Sequence, residues 1–187
     1  EEYRTEIGGS SYNITMALVK QGCNADLLQF IGKGTDDLYG NLLRSISVPG
    51  VRTTTIPCLC HTHTSSIHRT RKGEHQEEHV LEFKGSMNTN AFYEHREVIK
   101  STYDGYEWKI ASGIRDSNEE MLFLVDNFCG GSTNVLIPKI DLIKSDHWKN
   151  VIPLMDIIFM NSAEFNSIPM KIKDYHELGL PLLVITN

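Results

Sequence analysis

An amide and a carboxylate three residues apart, Asn161 and Glu164, stand directly after the apolar run Ile157-Ile158-Phe159-Met160. So short a run, bounded by Asp156 and Asn161, reads as a strand buried on both faces, as in parallel sheets covered by helices. Asn161 carries a good helix N-cap side chain, and Glu164 falls in the first turn of the helix that would follow. The pair is then placed at the carboxyl end of a strand, the edge at which open α/β sheets bind ligands. A carboxylate there can hold a water that serves Mg2+, and the N–H groups of a helix start favour phosphate. Capping alone is the other reading, and on local spacing it is the commoner one.

A second stretch with chemical content is Gly8-Gly9, where the backbone can turn sharply or approach a ligand closely. Ser10-Ser11-Tyr12-Asn13 then opens a helix with Ile14, Ala17 and Leu18 on one face, ended by Gly22. Other groupings carry less. Cys58-Leu59-Cys60-His61-Thr62-His63 looks like a metal cluster, but strand alternation turns Cys58 and Cys60 away from His61 and His63. His75 and His79 flank a glutamate-rich hairpin and read as solvated surface. Gly130-Gly131-Ser132-Thr133 follows a helix rather than preceding one, so it reads as a C-cap and not a phosphate cradle. Lys84 could touch an anionic or sugar substrate, although an exposed lysine without such a role is commoner.

The elements that must position these residues alternate. Residues 3–7 read as a strand, and residues 27–31 as the next. Asp36 or Asp37 can cap a helix with Leu38, Leu42 and Ile46 on one face. Residues 53–56, 58–67 and 79–83 are rich in Thr, Ile and Val and are predicted as antiparallel strands, with Lys72-Gly73 as a turn. Alternation resumes with a helix over 90–101, a strand over 108–111 and a helix over 117–128. A strand over 135–140 follows, which Pro138 restricts to an edge or shortens. Then come a helix over 147–154, the opening strand, a poor helix around 175–178 and a strand over 182–185. The pattern predicts an α/β fold with a mostly parallel sheet. Residues 1–50 and 86–187 form its core, 51–85 form a small antiparallel β lid, and 1–7 are a candidate further strand.

Composition narrows the function. The chain has 187 residues, 40% hydrophobic and 22% charged, enough for one globular core. A net charge of -6, from 18 basic and 24 acidic residues, argues against sequence-independent nucleic-acid binding. No apolar run is long enough to cross a bilayer and no signal peptide is visible, so no membrane partner is expected. The cysteines Cys23, Cys58, Cys60 and Cys129 read as reduced thiols of a cytoplasmic protein. The chain starts at Glu1 without a methionine and stops in a strand at Asn187, which leads us to expect a fragment of a longer protein.

Three motifs, in order, resemble those of the ribokinase-like (PfkB) carbohydrate and nucleoside kinases. Gly8-Gly9-Ser10-Ser11-Tyr12-Asn13 is similar to the family's Gly-Gly-x-x-x-Asn signature. Gly32-Lys33-Gly34-Thr35-Asp36-Asp37-Leu38-Tyr39-Gly40 resembles its Gly-x-x-Gly-x-Asp-x-x-Gly turn, with Thr35 where glycine is usual. Asn161-Ser162-Ala163-Glu164 fits its Asn-x-x-Glu motif. The β insertion lies where the family carries its lid. Nothing matches the Gly-Ala-Gly-Asp signature that holds the catalytic aspartate. Where relatives often have Asp-Pro-Asn, this chain has Ile137-Pro138-Lys139-Ile140-Asp141, with Asp141 a loose equivalent.

The resemblance implies a three-layer fold, helices on both faces of the sheet, and transfer of the ATP γ-phosphoryl group to a hydroxyl of a sugar or nucleoside. It implies that Gly8, Gly9 and Asn13 bind the substrate. Asn161 and Glu164 would organise Mg2+ and phosphate, with Glu164 reaching the metal through water, and the lid would exclude competing water. The catalytic base is expected beyond Asn187, so the chain by itself should not turn over. The second function class is a non-catalytic scaffold of the same fold, motivated by a lid unusually rich in His, Thr and Glu. The unpaired edge of a lid sheet predicts a homodimer through it.

Overall fold

The computed structural model describes residues 9–32, 38–45, 48–58, 64–72, 75–83 and 91–187. The expected strand over residues 3–7, together with Gly8, Asp36, Asp37 and Lys84, lies outside the described residues. Contacts divide the chain into two compact units, one containing Thr15–His95 and the other residues 9–14 with Arg96–Asn187. Helix α1 (Ser10–Lys20) contributes to both.

In the first unit, β1 (Ala25–Gly32) and β2 (Val51–Cys58) pair in parallel, with Ala25 opposite Val51 and Gly32 opposite Cys58. Helix α2 (Leu38–Ser45) lies between them in sequence and touches β1, forming a βαβ unit. Its Arg44 donates from Nη1 to the Gly32 carbonyl at 2.9 Å. Leu27, Ile31 and Ile56 are buried, and Phe30 meets Phe92 of α3 (Ala91–Glu94) edge-on at 4.7 Å. The parallel pairing corrects the antiparallel reading of residues 53–56. Threonine-rich, β-branched sequence signals a strand but not its direction. The direction is set by the intervening helix, because parallel neighbours need such a crossover. Strands β3 (Thr64–Lys72) and β4 (His75–Phe83) do form an antiparallel pair, with Lys72 opposite His75.

The second unit holds a sheet of four parallel strands in consecutive order. They are β5 (Trp108–Ile114), β6 (Thr133–Pro138), β7 (Ile157–Asn161) and β8 (Leu182–Thr186). The helix expected over 90–101 is two helices, α3 and α4 (Arg96–Tyr103), separated at His95. Between β5 and β6 runs α5 (Asn118–Asn127), capped by Ser117, whose Oγ accepts from the Glu120 N–H at 3.2 Å. Helices α6 (Ile140–Ile143) and α7 (Trp148–Val151), with a 3-10 turn over Ile152–Leu154, join β6 to β7. Helices α8 (Ser162–Asn166) and α9 (Ile172–Glu177) join β7 to β8.

Leu136 and Ile158, on adjacent strands, are fully buried, as are Leu124, Phe128, Leu142, Ile152 and Tyr175. Tyr103, Phe123 and Phe128 form a ring cluster with centroids 5.5 to 5.8 Å apart. Pro138 restricts a strand to an edge or shortens it; β6 pairs on both sides, so it is the shortening that occurs. The ring is tolerated because Pro138 is the last residue of β6, and the ladder to β7 stops at Leu136 opposite Ile158. At the amino ends, buried Asn134 donates from Nδ2 to the Phe128 and Leu154 carbonyls, both at 3.0 Å. The Asp156 carboxylate accepts the Asn134 N–H at 2.8 Å. This network pins the end of α5 and the start of β7 to β6.

Candidate functional site

Because β5 to β8 are parallel, Ile114, Pro138, Asn161 and Thr186 end at one edge of the sheet. Neighbouring strands lie about 4.8 Å apart, so the ends of β5 and β7 are within about 10 Å of each other.

At the β5 end, a bulge falls between Ser112 and Ile114, and Gly113 has φ +76. This left-handed conformation calls for glycine. A Cβ at Gly113 would come 3.4 Å from Ser10 Oγ and 3.8 Å from Lys139 Cε. The amino end of α1 is thereby seated against β5. Gly9 directly precedes it with φ +99, and its carbonyl accepts the Asn13 N–H at 3.0 Å. Asn13 is exposed one turn into the helix. The first sequence motif is therefore at the same sheet edge as the third, two strands away. Gly8 and Lys84 lie outside the described residues.

At the β7 end, both readings of Asn161 and Glu164 meet. Asn161 Oδ1 accepts the Glu164 N–H at 2.8 Å, and Glu164 Oε2 accepts the Asn161 N–H at 2.8 Å. This is a complete capping box, so the pair has a structural task whatever else it does. Ser162 Oγ donates to the Thr186 carbonyl at 2.9 Å and ties the helix start to the end of β8. Glu164 Oε1 makes no hydrogen bond among the described residues. Two carboxylate oxygens offer about four lone-pair positions, so the capped Glu164 keeps capacity for an outer ligand. No cluster of three His, Cys, Asp or Glu side chains occurs among the described residues. A single carboxylate with lone pairs to spare is the kind of donor used by an ion that retains most of its water, such as Mg2+. The side chains of Cys58, Cys60, His61, His63, His75 and His79 are outside the described set.

The structure adds residues that the sequence reading passed over. Glu120 is buried beside the site edge, and its Oε2 accepts the Arg115 N–H. Burial pushes its carboxyl up to about 6, against the pull of the Arg115 N–H and charge; Asp141 and Glu119 add to the rise. His147 Nδ1 meets Asp116 Oδ1 at 2.8 Å. The Ser117-x-x-Glu120 spacing could have flagged the first of these, and an isolated glycine inside a strand pattern could have flagged Gly113. The Asp116–His147 contact joins distant segments and has no local signal.

The Glu120 shift has a definite sign. Its folded-state value lies above its unfolded value near 4.5, so the folded chain holds the proton more tightly. That contribution is fully present below pH 4.5 and is lost as pH rises through about 6. In Glu120→Gln the amide oxygen can still accept from Arg115. Denaturation midpoints measured from pH 4 to 7 are therefore expected to fall for the wild type relative to this variant as pH increases; a constant difference would contradict the assignment.

No protein-family model and no curated protein matches the sequence. Solved structures do match. The fold is similar to that of a Methanocaldococcus jannaschii nucleoside kinase, described as an archaeal member of the ribokinase family, at 20% identity and TM-score 0.64, covering 96% of this chain and 58% of that one. A microbiome-derived acarbose kinase aligns at 17% identity and TM-score 0.70, covering 96% and 57%. A Thermotoga maritima protein described as a possible 1-phosphofructokinase aligns at 16% and 0.65, covering 100% and 64%. The chain thus has the α/β ribokinase-like fold and spans about three fifths of the length of these kinases. No helix among the described residues is long and apolar enough to cross a membrane.

Proposed function

We propose that the protein to which this chain belongs is an ATP- and Mg2+-dependent kinase that phosphorylates a hydroxyl of a sugar or nucleoside. The observation that carries this reading is the placement of Gly9–Asn13 and Asn161–Glu164 at one edge of a parallel sheet in a ribokinase-like fold. In this reading Gly8 and Gly9 close the backbone on the acceptor, and Asn13 hydrogen-bonds its hydroxyls. Asn161 and Glu164 orient the water around Mg2+, which when bound neutralises the phosphate charge. Little covalent chemistry is asked of the protein; positioning and electrostatics carry the rate.

The proton acceptor belongs, in this proposal, to a part of the protein outside this chain. Residues 51–85 were expected to form the lid. We now assign that role to the β3–β4 hairpin, with Lys84 at its end and a homodimer through its edge, and keep Val51–Cys58 in the parallel core. A cytoplasmic location goes with this reading. The test is ATP consumption by the intact protein against a panel of sugars and nucleosides. Acceptor-dependent consumption supports the reading, and its absence across the panel contradicts it.

One observation favours the scaffold alternative. The capping box gives Asn161 and Glu164 a reason to be present without any metal, so the motif does not by itself argue against a non-catalytic role. Acceptor-dependent turnover separates the two.

A further inference from the structure

We propose that Lys139 makes this site selective for an acceptor that already carries an anionic group, a phosphate or a carboxylate; this rests on the kinase reading above. Lys139 follows Pro138 at the end of β6, the strand between β5 and β7. Its N–H donates to the Ile114 carbonyl at 2.8 Å, so its backbone is fixed to the end of β5. Its side chain passes 3.8 Å from the position of a Cβ on Gly113, and Ser10 Oγ lies 3.4 Å from the same point. A lysine stem, a hydroxyl and a backbone stripped of its side chain thus meet at one place.

Lys139 is exposed, and its ammonium forms no ion pair among the described residues. Asp141, the nearest acid in sequence, accepts the Leu142 N–H at 3.1 Å within its own turn. Glu120 accepts from Arg115. An exposed ammonium beside a hydroxyl donor suits an anion. Its stem sets which anion it meets: Lys139 Cε and Ser10 Oγ both lie against Gly113 at the end of β5, next in sequence to Gly9, whereas Asn161 and Glu164 stand at the end of β7 on the other side of β6. The lysine stem therefore lies toward β5, the end of the site that the kinase reading gives to the acceptor.

The experiment measures binding of matched pairs to the intact protein by calorimetry: a hexose against its 6-phosphate and its hexonate, and a nucleoside against its 5′-monophosphate. A charge-assisted hydrogen bond predicts a preference of about tenfold or more for at least one charged member. The favoured pair tells phosphate from carboxylate. Lys139→Met is expected to reduce the preference to near unity, Lys139→Arg to retain most of it, and added salt to weaken it. No charged preference in any pair, or a preference untouched by Lys139→Met, overturns the proposal. So does a Lys139→Met effect confined to an ATP analogue. Charged preference without ATP consumption would uphold the Lys139 assignment and sink the kinase reading. Turnover of neutral acceptors, indifferent to Lys139→Met, would do the reverse.

Discussion

Glu164→Gln in the intact protein is expected to lower acceptor-dependent ATP turnover about 10- to 100-fold, the usual effect of removing a group that orients a metal's shell. The fold should barely respond. A glutamine oxygen can still accept the Asn161 N–H that Glu164 Oε2 accepts, and the reciprocal bond from Asn161 Oδ1 to the Glu164 N–H does not involve the substituted group. Loss of the charge near the amino end of the short α8 costs only about 0.3–1 kcal/mol. In the proposed role the lesion is in metal retention, so raising the Mg2+ concentration should restore part of the rate. An unchanged rate and Mg2+ dependence would leave the pair with capping as its whole role. Asn161→Ala makes the contrast: it removes the cap and should cost about 1 kcal/mol of stability besides any activity.

Leu136→Ala should be the most damaging single change to the sheet. Leu136 is fully buried on β6 between β5 and β7, and it is one of two β6 residues, with Val135, that pair with β7. Truncation leaves a cavity and weakens a two-rung ladder at once. Buried leucine-to-alanine changes cost about 2–5 kcal/mol, a large part of the 5–15 kcal/mol that a domain has. Denaturant unfolding should show the midpoint fall with little change in slope. A loss under about 1 kcal/mol would mean that the surrounding side chains collapse into the gap and that the β6–β7 contact matters less than its burial indicates.

Much of this was legible in the sequence because the signals are local. Ile157–Asn161 reads as a buried strand from apolar run length alone, and Asn161-x-x-Glu164 as a helix start from capping chemistry. Ser117 and Phe128 bound α5 as the sequence predicts. Strand direction was not legible. The residues of β2 pair with β1, and only the crossover between them determines that. Local pattern leaves two readings of Pro138, an edge strand or a shortened one, and only the position of the neighbouring ladder decides between them. At the site, the two motifs could be placed on elements, but their meeting at one edge depends on strand order and on Ser10 resting against Gly113. Lys139 gave no signal as a ligand group, since an isolated lysine in sequence looks like any exposed one.

The most direct test of the account is where a nucleotide-bound metal sits. Mn2+ with a non-hydrolysable ATP analogue, added to isotope-labelled intact protein, broadens the amide signals of nearby residues. The account predicts strong broadening at residues 161–164, clear broadening at Gly113 and Ile114, and none at Asn134 and Asp156 on the opposite edge. Broadening that spares residues 161–164, or falls on Asn134 and Asp156 instead, would contradict it.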